Sequence, residues 1–379
     1  MLVGGTLLAA SLILTACGDD DDDTTTPTGS SSAGSSSTVS SEVADAQAAA
    51  AQYVQPPTTI TQDTPLSGAV PTGKKIIFVN SGIPATQIIA DGSQEAAEAI
   101  GWSFESVSYD PANPATVQAA LQTALTKGAD VVIIAGTAPT SYGDSVIAAY
   151  KAAGVPIVVG SVCPLTVEDP IIAGSNGCDG EEMVGRALAN WFIADSNGEG
   201  KVLFSNVKAI PALAAFVNAF SDEVSTKCPD CTVDVLEATL AQVGDNTLVP
   251  SLVNKLRSDP SYGYLFFDNA QWAKGIGSAL SAAGLKDIKV GGRSADDTAL
   301  AELAKGTQVA WTATPYNVAG YGNIDAAIRA LLGSTDGADG NVVPPFQLVT
   351  PDNVSAVSAP YKYPADALDQ YLKLWNVTS

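Results

Sequence analysis

The 379-residue chain contains no histidine, and its 18 basic residues stand against 40 acidic ones. Without an imidazole there is no Ser-His-Asp or Cys-His nucleophile activation, no zincin-type metal site and no ordinary general base near neutral pH. Most familiar hydrolase mechanisms are thereby excluded, and the chain is not expected to be an enzyme. A formal net charge of −22 repels phosphate backbones, which argues against nucleic acid as a partner. Nucleotide loops are missing too. The first strand candidate runs into Ser81-Gly82-Ile83-Pro84 and the corresponding strand of the second half into Val207-Lys208-Ala209-Ile210. Neither is a Gly-x-Gly-x-x-Gly turn or a P-loop, so no cofactor is expected.

The apolar run at 2–14 is too short to cross a bilayer comfortably but has the length of a signal-peptide core. It ends in Leu14-Thr15-Ala16-Cys17, which resembles the lipobox of bacterial lipoproteins. That resemblance implies a signal peptide over 1–16, lipidation of Cys17, and an extracytoplasmic protein anchored to the cell membrane by lipid alone. No Lys or Arg precedes the run, which points to a start inside a longer signal. From Gly18 through the run 19–23 to about Pro71 the composition is Asp, Thr, Ser, Gly and Pro, too polar to offset the entropy of ordering. Residues 17–73 are therefore expected to be a disordered tether, transiently helical over 42–53. Eight acidic and no basic residues precede Lys74, so the remainder carries 18 basic against 32 acidic residues, a net −14.

Apart from Cys17, the cysteines form two sequence-local pairs, Cys163 with Cys178 and Cys228 with Cys231. In an exported protein structural disulfides are the favoured reading. The Cys-Pro-Asp-Cys at 228–231 is also open to reading as a redox dithiol or half a zinc site. Zinc needs two further ligands, however, and a thioredoxin-like dithiol lies between a strand and a helix start, whereas this pair follows a helix and precedes a strand.

From Lys74 onward, β-branched runs alternate with Ala-rich segments of helical period. Strands are expected at 75–81, 104–109, 130–135 and 156–159, with helices at 87–100, 114–127 and 141–153 between them. Gly101, Gly128 and Gly154 supply helix stops. The alternation restarts with a helix at 181–195, strands at 201–206, 232–236 and 264–267, and helices at 212–226, 246–258 and 270–283. It continues with 289–290, 300–305, 309–314, a helix at 318–332 and a C-terminal helix at 364–375. This is an α/β protein of two doubly wound, Rossmann-like halves, whose strand ends face one crevice.

The order and spacing of these pieces resemble the type I periplasmic solute-binding proteins, in the ribose-binding-like branch. The resemblance rests on Pro84, on 91–97 (DGSQEAA) with Gly101, on 110–114, on 125–130 before VVIIA, and on 153–156 before IVV. It continues with Asn269, Ala282-Ala283-Gly284 and Val290-Gly291-Gly292, and covers about 74–349. It implies two lobes joined by three hinge crossovers near 172–176, 312–316 and 342–346. Lobe one is then 74–173 plus 316–343, and lobe two is 174–315 plus 344–379. It also implies capture of a small solute, delivery to an ABC transporter permease, and a monomer. LacI-type repressors share the body but need a DNA-binding headpiece, and a sensory protein feeding a membrane receptor remains an alternative.

The crevice positions depart from the family's sugar clamp. An aromatic pair after the first-loop proline is replaced by Ala85 and Thr86, the third strand ends in Ala135 and Gly136, and the Asp-Arg pair after the fourth is Ser161 and Val162. Ala214 replaces an arginine, and Arg293 an aspartate. The candidates left are Ser81, Thr86, Gln87, Thr137, Ser161, Phe216, Asn269, Trp272, Arg293, Thr314 and Tyr316, with no metal and no catalytic residue. A lone Arg293 at a strand end suits a carboxylate, unless it pairs with Asp296 or Asp297. The expected ligand is thus a partly apolar or anionic molecule, with a sugar as the alternative. The Asp-Gly-rich loop at 336–341 has a calcium-loop composition without the bidentate Glu, and is expected to be a solvated turn.

Overall fold

The computed structural model describes residues 40–111, 113–334 and 343–377. The 2–14 run, Cys17, the acidic run 19–23 and the loop 336–341 lie outside the described residues.

The chain enters through α1 (Ser41–Ala51) and then alternates β1 (Lys75–Asn80), α2 (Pro84–Ala99), β2 (Ser103–Ser108), α3 (Pro114–Thr126), β3 (Val131–Ala135), α4 (Asp144–Ala153), β4 (Ile157–Gly160) and β5 (Ile171–Ala173). These strands form a parallel sheet of order β2-β1-β3-β4-β5. The continuous apolar runs VVIIA and IVVG are buried throughout, as strands covered on both faces must be. The edge strand β2 instead reads SFESVS and is exposed or half-buried along its length.

After Gly174 the chain passes to a second sheet through α5 (Cys178–Asp195), β6 (Lys201–Asn206), α6 (Pro211–Lys227), β7 (Thr232–Glu237), α7 (Leu240–Gly244), α8 (Leu248–Ser258) and β8 (Tyr264–Phe267). It continues with α9 (Ile276–Ala283), β9 (Lys289–Gly292), α10 (Asp297–Ala304) and β10 (Ala310–Ala313), then α11 (Tyr316–Leu331), β11 (Gln347–Val349) and α12 (Ala367–Leu374). The order is β11-β10-β9-β8-β6-β7, with β11 antiparallel to β10. The helix expected over 270–283 is broken: a single 3₁₀ turn at Ala270–Ala273 and Gly275, at φ 81°, precede α9.

Each sheet is a sandwich filling. In the first lobe, α2, α11 and α12 contribute to one core, which contains Phe78, Ile133, Tyr371 and Trp375, and α3 and α4 cover the other. In the second lobe, α1, α5 and α6 build a cluster where Phe192, Phe204, Phe220 and Phe266 meet at 5.0–6.0 Å between ring centroids. The last helix, α12, therefore packs on the first lobe, whereas the resemblance implied that 344–379 belong to the second. The apolar stripe of Ala367, Tyr371 and Trp375 has its partner in α11, where Tyr371 meets Tyr321 at 6.1 Å between centroids.

The second correction concerns the stretch 40–71, which is no free tether. Ser40 caps α1, and Val43, Ala46 and Ala50 bury one face of it on the second lobe. Tyr53 stacks on Phe346 at 4.6 Å, and its carbonyl accepts from the Leu348 amide at 2.7 Å. The chain then crosses to the first lobe. Gln370 holds Thr58 O and Ile60 N, Gln62 Nε2 donates to Asp325 Oδ2 at 2.9 Å, and Leu66 enters the core. Small alanines let α1 lie close to α5, and a few anchoring side chains outweigh the polar average that composition records.

Candidate functional site

In a doubly wound sheet the crevice forms where strand order reverses, outside the carboxyl ends of the strands. The reversals fall between β1 and β3 in one lobe and between β6 and β8 in the other. The loops after these four strands face a shared cleft of about 380 Å³.

On the first-lobe side, Ser81 follows β1 and Thr86 sits in the first turn of α2, which Pro84 starts. Their hydroxyls are 2.7 Å apart, and Thr86 also donates to Ile83 O at 2.8 Å. Ile83 and Ile89 extend this wall as apolar surface. Gly136 at φ 73° turns the chain after β3 and brings Thr137 to the cleft, where it hydrogen-bonds the Tyr109 hydroxyl. On the second-lobe side, residues 209–213 at the start of α6 and Leu240 form an aliphatic wall. Asn269 and Trp272 complete it after β8, with Asn269 Oδ1 accepting from Gln271 N at 3.0 Å.

The base of the cleft is a buried polar chain that links both lobes through Asn176, where the chain passes to the second sheet, and Tyr316, where it passes from β10 into α11. Arg293 donates through Nε to Glu181 Oε2 at 2.6 Å and through Nη2 to Glu181 Oε1. Its Nη1 donates to Ser294 Oγ at 2.8 Å and to the Tyr316 hydroxyl at 3.3 Å. Asn176 Nδ2 donates to Glu181 Oε1 at 3.0 Å and to Ser161 Oγ at 3.3 Å. Glu181 is 1% exposed and Arg293 4%. Burial alone would lower the Arg293 pKa, but the Glu181 carboxylate, with smaller contributions from Tyr316 and Asp268, more than reverses this and raises it. Ser161, Asn176 and Ser294 all stand at positive φ, 54°, 68° and 61°. Non-glycine residues persist there only where their surroundings over-determine them.

Arg293 is therefore not a free cation awaiting an anionic solute, and its partner is neither Asp296 nor Asp297. Asp296 instead caps α10, accepting from Ala299 N at 2.8 Å. Eight of the expected residues line the cleft: Ser81, Thr86, Thr137, Ser161, Asn269, Trp272, Arg293 and Tyr316. Three do not. Gln87 is one helical step past Thr86 and turns away, bonded to Asn80 and Asp91. Phe216 lies on the buried stripe of α6 behind the site, 5.9 Å from the Arg293 guanidinium. Thr314 faces a neighbouring groove with Asp91 and Tyr361. Glu181, Asn176, Tyr109 and Leu240 were not anticipated. Glu181 carried a signal: it shares the buried stripe of α5 with Val184 and Leu188, where a carboxylate needs a cation.

Cys163 is disulfide-bonded to Cys178, tying the loop after β4 to the first residue of α5 across the first crossover, and Cys228 to Cys231. Among the described residues no cluster of acidic or cysteine side chains is placed to hold a metal ion.

Behind Asn269, Asp268 is fully buried. Its Oδ2 accepts from Val207 N at 2.5 Å, while Oδ1 and the nearby Trp272 indole N–H fall short of hydrogen-bonding geometry. Burial pushes its pKa up to about 7, against smaller lowering effects from the Val207 amide and Arg293. The folded protein thus holds a proton that the unfolded chain releases near the ordinary carboxylate value. Stability attributable to this group is present at acid pH and falls as pH rises toward 7, by about 1.4 kcal/mol per pH unit within that window. Denaturant unfolding of wild type and Asp268→Asn at pH 5 and pH 8 should show the wild type losing more stability over this interval. Parallel losses would remove the assignment.

Comparison with known proteins places this geometry. Residues 75–335 match the family model described as a periplasmic binding protein domain. No curated protein matches the chain. Among solved structures it is similar to an arabinose-binding protein from Geobacillus stearothermophilus, at 18% identity and TM-score 0.62 over 76% of this chain and 100% of that one. It is similar also to a solute-binding protein from Agrobacterium vitis with bound allitol, at 19% identity and TM-score 0.63 over 75% and 97%. A third is a solute-binding protein from Bacillus halodurans with bound myo-inositol, at 17% identity and TM-score 0.60 over 76% and 98%. At these identities the likeness is one of fold.

Proposed function

We propose, because this chain belongs to the periplasmic binding protein family, that it captures a small neutral solute between its lobes and presents it to an ABC transporter permease. The observation that carries this reading is the cleft itself. It lies between the facing switch points of two sheets, and its only charged lining residues among those described, Glu181 and Arg293, neutralise each other. Binding and release by lobe movement needs no reacting group, in keeping with a binding protein and not an enzyme. In the described residues no helix is long and apolar enough to cross a membrane. The family works outside the cytoplasm, and anchoring through a lipid on Cys17 is part of the proposal.

An acid is no longer the favoured ligand, since the one cation of the cleft is already engaged. The structural relatives carry arabinose, allitol and myo-inositol in their descriptions, which supports a sugar or polyol. The aliphatic wall at 209–213, with Ile83, Ile89 and Leu240, favours one that also presents an apolar face. A thermal-shift screen of sugars, polyols, deoxysugars and their matched acids tests the reading. A neutral compound at 100 times its dissociation constant should add about 2.7 kcal/mol of stability. Stabilisation by acids alone would overturn it.

A further inference from the structure

We infer that Glu181 is a specificity-determining residue: by occupying Arg293 it excludes anionic solutes, and its removal turns the same cleft into a carboxylate site. This rests on the cleft being the solute site.

The geometry supplies the argument. Arg293 presents a planar fork of donors suited to bidentate carboxylate recognition, and the carboxylate bound to it belongs to the protein. Glu181 takes Nε and Nη2 through separate oxygens, while Ser294 and Tyr316 take Nη1. Both members of the pair line the cleft, so the guanidinium is within reach of a solute. Any incoming carboxylate meets two obstacles: the donors it needs are engaged, and Glu181 lies beside it as a like charge in a desolvated setting. A neutral hydroxyl meets neither.

The pair is also held from outside. Asn176 bonds Glu181 Oε1 from the first crossover, and Tyr316 bonds Arg293 from the start of α11. The carboxylate side chain is thus fixed in its inhibiting position, and the Phe216 ring lies 5.9 Å from the guanidinium. Deleting the Glu181 carboxylate leaves an unpaired buried cation beside a carboxylate-sized vacancy opening on the cleft.

The experiment compares wild type, Glu181→Ala and Glu181→Gln at constant ionic strength. The probes are acetate, and galactose and arabinose each paired with its acid, galacturonate and arabinonate. Acetate should raise the Tm of Glu181→Ala saturably and leave wild type unmoved. Calorimetry should show the acid-to-neutral preference of the variant shifted toward the acid by about tenfold or more. A folded Glu181→Ala that ignores every carboxylate, or a wild type that responds equally, overturns the proposal. If Glu181→Ala is unfolded in buffer, recovery of its circular dichroism on adding acetate supports the proposal. Failure of acetate to restore or stabilise either variant overturns it. Failure of the solute-capture reading looks different: no neutral compound then shifts wild type, whatever acetate does to the variants.

Discussion

Replacing Arg329 with Met is expected to cost about 3–5 kcal/mol, the scale on which a buried ion pair answers the loss of one partner. Arg329 and Asp325 sit one turn apart on α11 at 0% and 1% exposure. Arg329 Nε donates to Asp325 Oδ2 at 2.7 Å, and Nη2 donates to the same carboxylate and to Thr64 O. Gln62 and the Trp375 indole also donate to Asp325. One ion pair therefore fastens the incoming strap at 62–65 and the outgoing helix α12 to the first lobe. Denaturant unfolding should register the loss, and limited proteolysis should show cleavage within 58–66 that wild type resists. A variant within 1 kcal/mol of wild type would mean that Asp325 finds another counter-charge.

Gly320→Ala is the second large effect. A Cβ built at Gly320 lies 2.4 Å from Ile89 O and 2.6 Å from Ser93 N, both backbone atoms of α2. From the other helix, a Cβ at Gly92 would lie 2.3 Å from Asn317 O. Neither neighbour is a side-chain tip that can swing aside, so α2 and α11 must separate. Overpacking of this kind costs about 1–3 kcal/mol and occasionally more. The separation also moves Tyr316 and Ile89, which line the cleft, so solute affinity should fall together with stability. Gly277→Ala in α9 is the control, since a Cβ there meets nothing within 4 Å. Removing a helical glycine at an open site should be neutral or stabilising by up to about 1 kcal/mol. Equal behaviour of the two variants would show that the helix contact is softer than its geometry implies.

The elements of both sheets were legible because each records itself locally. VVIIA must be a strand covered on both faces, and Ala-Ala-Gly before a strand must end a helix. Part of the cleft lining was legible for the same reason, since Ser81, Thr137 and Asn269 follow strands at the two reversals of sheet order. What stayed hidden depends on distant partners or on rotation. Glu181 and Arg293 are 112 positions apart, and nothing local to Arg293 distinguishes it from a free cation. Gln87 was placed on the right helix but one residue past Thr86, an error of about 100° in direction at 3.6 residues per turn, whereas Phe216 shares the buried stripe of α6 with the cleft-lining Leu213 and lies about one turn further along it. The strap at 40–71 reads as solvated chain because its anchors, Tyr53, Gln62 and Leu66, are diluted among Thr, Ser and Pro. The docking of α12 depends on α11, reached only after the sequence has returned through β11.

The clasp formed by Gln370 and Trp375 sets a timetable for folding. Gln370 bonds the backbone at Thr58, 312 positions earlier, and Trp375 bonds Asp325. The first lobe therefore begins its sheet at residue 75 but cannot close its core until residues beyond 370 have been made. The parallel strands of the second lobe run uninterrupted from β6 to β10, and β11 with the core residues Val354 and Tyr361 completes it before residue 370 is reached. Contacts this remote in sequence slow folding, because the loop entropy is lost before the contact forms. A nascent chain of this protein thus carries an unfinished first lobe until residues beyond 370 have been made, and its earliest-made strands are among the last to be sealed.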